Sequence, residues 1–166
     1  MAIVGFMGAG KSAVGSRLAR RLAVPFIDTD ARLVAEHGAI QEIFARSGEA
    51  HFRRLEHDAV LAALAEAFRE PRVVSLGGGA VTDSDVREAL KRLAHVAWLD
   101  APVATLYARA RGGQRPLARD QARFQELYDE RRPLYESVAT VRVVNDGTRT
   151  LAQIVDELQA TLEAEA

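Results

Sequence analysis

Two rhythms of hydrophobic and polar residues alternate along the chain. Short apolar runs recur in "AIV" (Ala2 to Val4), "VPFID" (Val24 to Asp28), "RVVSL" (Arg72 to Leu76), "HVAWLD" (His95 to Asp100) and "VRVVND" (Val141 to Asp146). Between them lie longer segments whose apolar residues return every three or four positions, the spacing of one helix face. Apolar runs without alternation predict strands buried on both faces. Strands separated by helices predict a parallel sheet covered on both sides, here with five strands.

The helical segments have readable ends. "KSAVGSRLARRLA" places Val14, Leu18 and Leu22 on one stripe. "ARLVAEHG" stops at Gly38 and "AIQEIFARSG" at Gly48. A long helix is predicted from Glu49 to Glu70, with Phe52, Leu55, Leu61, Leu64 and Phe68 inward and Pro71 as its stop. "TDSDVREALKRL" is a helix capped by Thr82 or Asp83. "APVATLYARA" carries Pro102 in its first turn. "FQELYDERRPLYESVA" reads as helix despite Pro133. Leu151, Ile154, Val155, Leu158 and Leu162 form a closing amphipathic helix.

Composition narrows the class. The 166 residues are 48% hydrophobic and 27% charged, with net charge −1, which suits one soluble globular domain over residues 1–166. The near-neutral balance argues against non-specific nucleic-acid binding. No segment approaches the roughly 18 apolar residues of a membrane span. No basic, apolar leader opens the chain, so a cytoplasmic location is expected. With no cysteine, thiol nucleophiles and cysteine zinc sites are excluded. His37, His51, His57 and His95 lack metal-ligand spacing and read as structural or solvent-facing.

The strongest chemical signal is "GFMGAGKSAVG" (Gly5 to Gly15). Gly5-x4-Gly10-Lys11-Ser12 fits a phosphate-binding loop, and it stands between a strand and a helix as that motif requires. Glycines let successive backbone N–H groups turn inward toward phosphate oxygens at the helix N-terminus. Lys11 would reach the β- and γ-phosphates, and the Ser12 hydroxyl would meet Mg²⁺. On these residues alone the nucleotide and the reaction stay open among ATP, GTP, kinase, GTPase and motor.

Further segments point one way. "DTD" (Asp28 to Asp30), "FRRLE" (Phe52 to Glu56), "LGGGAV" (Leu76 to Val81), "RPL" (Arg115 to Leu117) and "RRPLYE" (Arg131 to Glu136), taken with "GFMGAGKS", resemble the shikimate kinase family over essentially the whole chain. The resemblance implies a three-layer α/β phosphate-loop kinase fold with sheet order 2-3-1-4-5. It adds a helical substrate-binding insertion near residues 30–57 and a mobile lid near 109–123. It implies transfer of a phosphoryl group from ATP, with Mg²⁺, to the 3-hydroxyl of shikimate by a monomer that takes neither nucleic acid nor membrane.

The resemblance also assigns residues. Gly8, Ala9, Gly10, Lys11, Ser12 and Ala13 would hold ATP. Asp28 would serve the metal through water, with Ser75 ordering a metal-bound water. Asp30 would bind the acceptor hydroxyls, although read alone it is equally a helix cap. Both aspartates are expected at the end of the second strand, pointing to the same side. Arg53 and Arg131 would clamp the carboxylate, because a guanidinium fork matches a carboxylate. Adjacent arginines on a helix point about 100° apart, so only one of Arg53 and Arg54 can face the crevice. Arg132 sits beside Arg131 as an additional arginine. Glu56, one turn on, would steady Arg53, and Gly78 and Gly79 would approach the ring.

In the arginine-rich stretch, Arg115 would touch ATP phosphates and stabilise transferring charge. Either Arg109 or Arg111 would stack on adenine, and "VND" (Val144 to Asp146) resembles the adenine loop. The chain departs from the family at Ala13, commonly threonine, and at Ala118, commonly leucine. A gluconate kinase is the rival enzyme; a non-catalytic binding protein of the same fold is the rival non-enzyme.

Overall fold

Strand formation follows the apolar runs. The computed structural model describes residues 1–111 and 120–164. Five strands form one sheet: β1 (Ala2–Val4), β2 (Phe26–Asp28), β3 (Val73–Ser75), β4 (Val96–Asp100) and β5 (Val141–Val144). Their order is β2-β3-β1-β4-β5, and every neighbouring pair is parallel. The order is the one implied above. Parallel pairing aligns the carboxyl ends of β1, β2 and β3 on one edge, where open α/β sheets bind ligands. Register places Asp28 opposite Ser75 and Ser75 opposite Ile3.

Helices α1 (Lys11–Leu22), α2 (Thr29–His37), α3 (Ile40–Arg69), α4 (Ser84–Lys91), α5 (Val103–Arg111), α6 (Gln121–Val138) and α7 (Leu151–Ala164) complete the three-layer α/β fold. α1 packs against α7, and α4 packs against both α3 and α6. Leu18, Leu64, Leu90, Leu99, Leu106 and Leu158 are fully excluded from solvent. Each such side chain is worth about 1.5–3 kcal/mol in burial. Leu33, Ile43 and Phe52 form a smaller separate cluster, flanked by Ile40 and Leu55. The α2–α3 region thus carries its own apolar cluster.

The expected stop at Gly48 is found: α3 runs from Ile40 to Arg69 but breaks there, with φ 76 and ψ 171 interrupting the helix. This left-handed φ favours glycine. Beyond the break, the buried positions are Phe52, Glu56, Val60, Ala63 and Leu64. Phe68 departs from expectation: it continues the i+4 stripe of Phe52, Glu56, Val60 and Leu64 but falls in the last turn of α3, 47% exposed beneath Arg92. Asp83, not Thr82, caps α4, accepting from the Asp85 and Val86 amides at 2.8 and 3.1 Å. The Thr82 hydroxyl instead donates to the Gly79 carbonyl. α6 continues through Pro133. Among the described residues, no helix is long and apolar enough to cross a membrane.

Asp100 ends β4 as a buried carboxylate. It accepts from the Tyr128 phenol at 2.9 Å and from Arg142 Nη2 at 2.6 Å. Burial, reinforced by Asp100, pushes the Tyr128 phenol up to about 12.

Candidate active site

The loop after β1 brings backbone and one lysine together. Gly10 caps α1 with φ 89, a left-handed conformation. A Cβ there would lie 2.8 Å from the Asn145 amide nitrogen, which donates to the Ala9 carbonyl at 2.8 Å. The end of β5 therefore braces the loop. Lys11 is buried and its ammonium donates to the Phe6 carbonyl at 3.2 Å. That places a cation inside the loop, against α1's N-terminus, where phosphate charge is stabilised.

Ser12 and Asp28 meet directly, hydroxyl to carboxylate. The other Asp28 oxygen accepts from the Ala31 amide at 3.0 Å, so Asp28 is also the N-cap of α2. This corrects the sequence reading of the aspartate pair in two ways. The cap considered for Asp30 belongs to Asp28. Asp30 lies in the first turn of α2 rather than at the strand end, so strand alternation does not set its direction. The chain turns helical at Thr29, because Asp28 supplies the cap. The Thr29 hydroxyl in turn accepts from the Gly77 amide at 3.1 Å.

The three glycines after β3 gather the remaining groups. A Cβ on Gly77 would meet the Asp30 carboxylate, and lie 2.9 Å from Glu56 Oε1. The Gly78 carbonyl accepts from the Tyr135 phenol at 2.5 Å and from Arg131 Nη1 at 3.4 Å. A Cβ on Gly79 would collide with the Arg53 guanidinium. A Cβ on Gly78 would lie 3.4 Å from the Met7 amide and 3.6 Å from the Gly5 carbonyl. The glycine run therefore abuts the phosphate loop on one side and contacts Asp30, Arg53 and Arg131 on the other.

Charge within this cluster is nearly balanced. Arg53 Nη1 donates to Glu56 Oε2 at 2.7 Å, and Nη2 to Glu49 at 3.3 Å. Glu56 is 6% exposed. Burial raises its carboxyl above the usual range; Asp30 adds to the rise, while Arg53 and Arg131 oppose it. Arg131 is buried over the Phe6 ring, whereas Arg132 is exposed. Arg54 points outward beside His51. Of each adjacent arginine pair, one faces the site, as the 100° rule requires.

Arg109 donates to the Asn145 carbonyl at 2.7 Å, which places it, rather than Arg111, against the "VND" segment. Arg115 lies outside the described residues, as does most of the arginine-rich stretch. Gly8, Ala9, Ser12 and Ala13 sit at the loop and first turn of α1 as expected.

Sequence reasoning missed Gly77, Thr29 and Tyr135. Thr29 was visible between two aspartates and Tyr135 inside "RRPLYE", but neither carries a charge or a motif rule. His57 proves more engaged than its spacing suggests. Its ring lies 2.9 Å from Asp83, and its ligand atom falls within 4.8 Å of those of Asp83 and Asp85. A cavity of ≈ 240 Å³ behind Arg53 is lined by His57, Asp83 and Thr82 among others. Asp83 is already committed to the α4 cap and to His57, which makes the pairing structural.

Comparison with known proteins gives a consistent result. A family model described as shikimate kinase matches residues 7–163. A shikimate kinase of Symbiobacterium thermophilum is 44% identical, over 97% of this chain and 94% of the relative. One from Mycobacterium avium is 47% identical, over 96% and 93%. The solved structure of shikimate kinase from Acinetobacter baumannii in complex with shikimate superposes with TM-score 0.90. It is 31% identical and covers 99% of this chain and 92% of that one.

Proposed function

The chain belongs to the shikimate kinase family, and from this we infer that it phosphorylates shikimate at the expense of ATP, at the 3-hydroxyl. The observation that carries the reading is the convergence of Asp30, Arg53 and Arg131 on Gly77 to Gly79, directly beside the phosphate loop. An acid and two guanidinium forks around a glycine surface suit a ring acid bearing hydroxyls. A gluconate acceptor does not call for a flat, side-chain-free wall.

In this reading, ATP lies on Gly8 to Ala13 with Lys11 at its terminal phosphates. Arg53 and Arg131 hold the carboxylate. Gly78 and Gly79 meet the ring. Asp30 orients the attacking hydroxyl and takes its proton, and Glu56 keeps Arg53 in place. Arg109 lies beside the nucleotide's base. Arg115 adds positive charge at the phosphates. Catalysis is positioning and charge stabilisation, with little covalent work.

Ser12 and Asp28 offer hard oxygen donors side by side at the strand edge, with Ser75 opposite Asp28 in register. That donor set fits Mg²⁺ held by few protein ligands and several waters. Mg²⁺ bound there would neutralise phosphate charge. The same reading takes the chain as a cytoplasmic monomer without nucleic-acid or membrane partners.

The test is ADP release from ATP and Mg²⁺ with a panel of hydroxy acids. Shikimate should accelerate it strongly and gluconate should not. Acceleration by gluconate alone would move the assignment to that kinase, and tight binding without turnover would make the chain a binding protein.

A further inference from the structure

Tyr135 is the largest fully buried side chain in the structure, and its hydroxyl ends at the acceptor cluster. The ring stacks on Trp98 with centroids 6.2 Å apart, which fixes its direction. The phenol donates to the Gly78 carbonyl at 2.5 Å. The same carbonyl accepts from Arg131 Nη1, but at 3.4 Å, near the limit of a hydrogen bond. Arg131 and Tyr135 stand four residues apart on α6, one above the other on the same face. Gly78 is half-buried, and both donors to its carbonyl are side chains of α6. The carbonyl's two lone pairs take both donors, and the neutral one holds the shorter contact.

We propose that Tyr135 is a positioning residue of the acceptor site: by holding the Gly78 carbonyl at short range, it limits Arg131 to a long contact there and leaves most of the guanidinium fork to a substrate carboxylate. Without the phenol, the carbonyl keeps one donor. Arg131 is then drawn onto the peptide, and an N–H is withdrawn from the fork that would meet the carboxylate. The phenol also fixes the rotation of the Gly78 peptide, whose Cα lies against the phosphate loop. Burial raises the phenol's pKa well above its ordinary value, so it stays a proton donor through the physiological range. This proposal rests on the reading of Arg131 as a carboxylate clamp.

A double-mutant cycle separates the two claims. Tyr135→Phe keeps ring and packing and removes only the hydroxyl. It should raise the shikimate KM by about 10-fold, the scale of one buried hydrogen bond, with ATP KM and Tm little changed. Arg131→Ala should raise the shikimate KM as well. In the Arg131→Ala background, adding Tyr135→Phe should change that KM less than about twofold, because the hydroxyl acts through the guanidinium. An unchanged shikimate KM in Arg131→Ala would remove the clamp itself. A raised KM there beside a normal Tyr135→Phe enzyme would remove only the Tyr135 proposal. Fully additive effects, or equal rises in both substrates' KM with a collapsed Tm, would make Tyr135 a packing residue and overturn it.

Discussion

The loop at Gly5 to Gly10 and the run at Gly77 to Gly79 follow neighbouring parallel strands, yet they prepare their sites by different means. The first presents backbone: turned amides, a helix N-terminus and one buried lysine. The second presents an absence of side chains, into which Asp30, Glu56, Arg53 and Arg131 project from three helices. A backbone cradle is fixed by φ and ψ and suits any triphosphate. A cluster of side chains around bare glycine is fixed by mutual charge, and it can be specific for one acceptor. In the proposed reading, phosphate binding and acceptor choice are thus set in separate places, which adjoin at Gly78 and Met7.

That division makes the two ends separately breakable. The largest effect is expected at the phosphate end. Lys11→Ala should lower kcat by about 10²–10³, the scale of removing one group aimed at developing charge, with shikimate binding retained in a direct titration. Next comes the glycine wall. Gly77→Ala places a methyl against the Asp30 and Glu56 carboxylates. Those are ends of flexible side chains, so Tm should move little. Displacing Asp30 should nevertheless cost about 10²-fold in kcat/KM.

The smallest effect lies outside both ends, at His57. Its bond to Asp83 raises the imidazole's pKa above the ordinary 6.5. A raised folded pKa gives stability that is complete below about pH 6.5 and lost as pH rises through the folded value. His57→Gln should cost about 0.2–1 kcal/mol near pH 6, as an exposed pair does, and almost nothing near pH 9. Denaturant melts at both pH values check this, and kinetic constants should stay unchanged.

The same contrast explains what was legible in the chain. The phosphate loop is contiguous, so its spacing alone gave strand, turn, helix and the place of Lys11. The sheet order came with the family resemblance, while the apolar runs themselves gave its strands. The acceptor end is assembled from α2, α3, α6 and the glycine run, and no local pattern encodes how they meet. Asp30 was expected at a strand end that it does not occupy, because the helix begins at Thr29, two residues earlier than the sequence reading assumes. Gly77 was passed over because its role is steric. Phe68 was placed inside because a helical stripe says nothing of where the sheet stops covering it. Arg54 and Arg132 were separable only in part, since the 100° rule says that one arginine turns away without saying which.

The central claim is that carboxylate recognition belongs to the guanidinium cluster and not to the phosphate loop. Steady-state kinetics of Arg53→Ala with both substrates varied tests it most directly. Losing a charged hydrogen-bond partner should raise the shikimate KM by about 10- to 10²-fold, with the ATP KM within about twofold of the parent. A normal shikimate KM, or an equal rise for both substrates, would contradict the account.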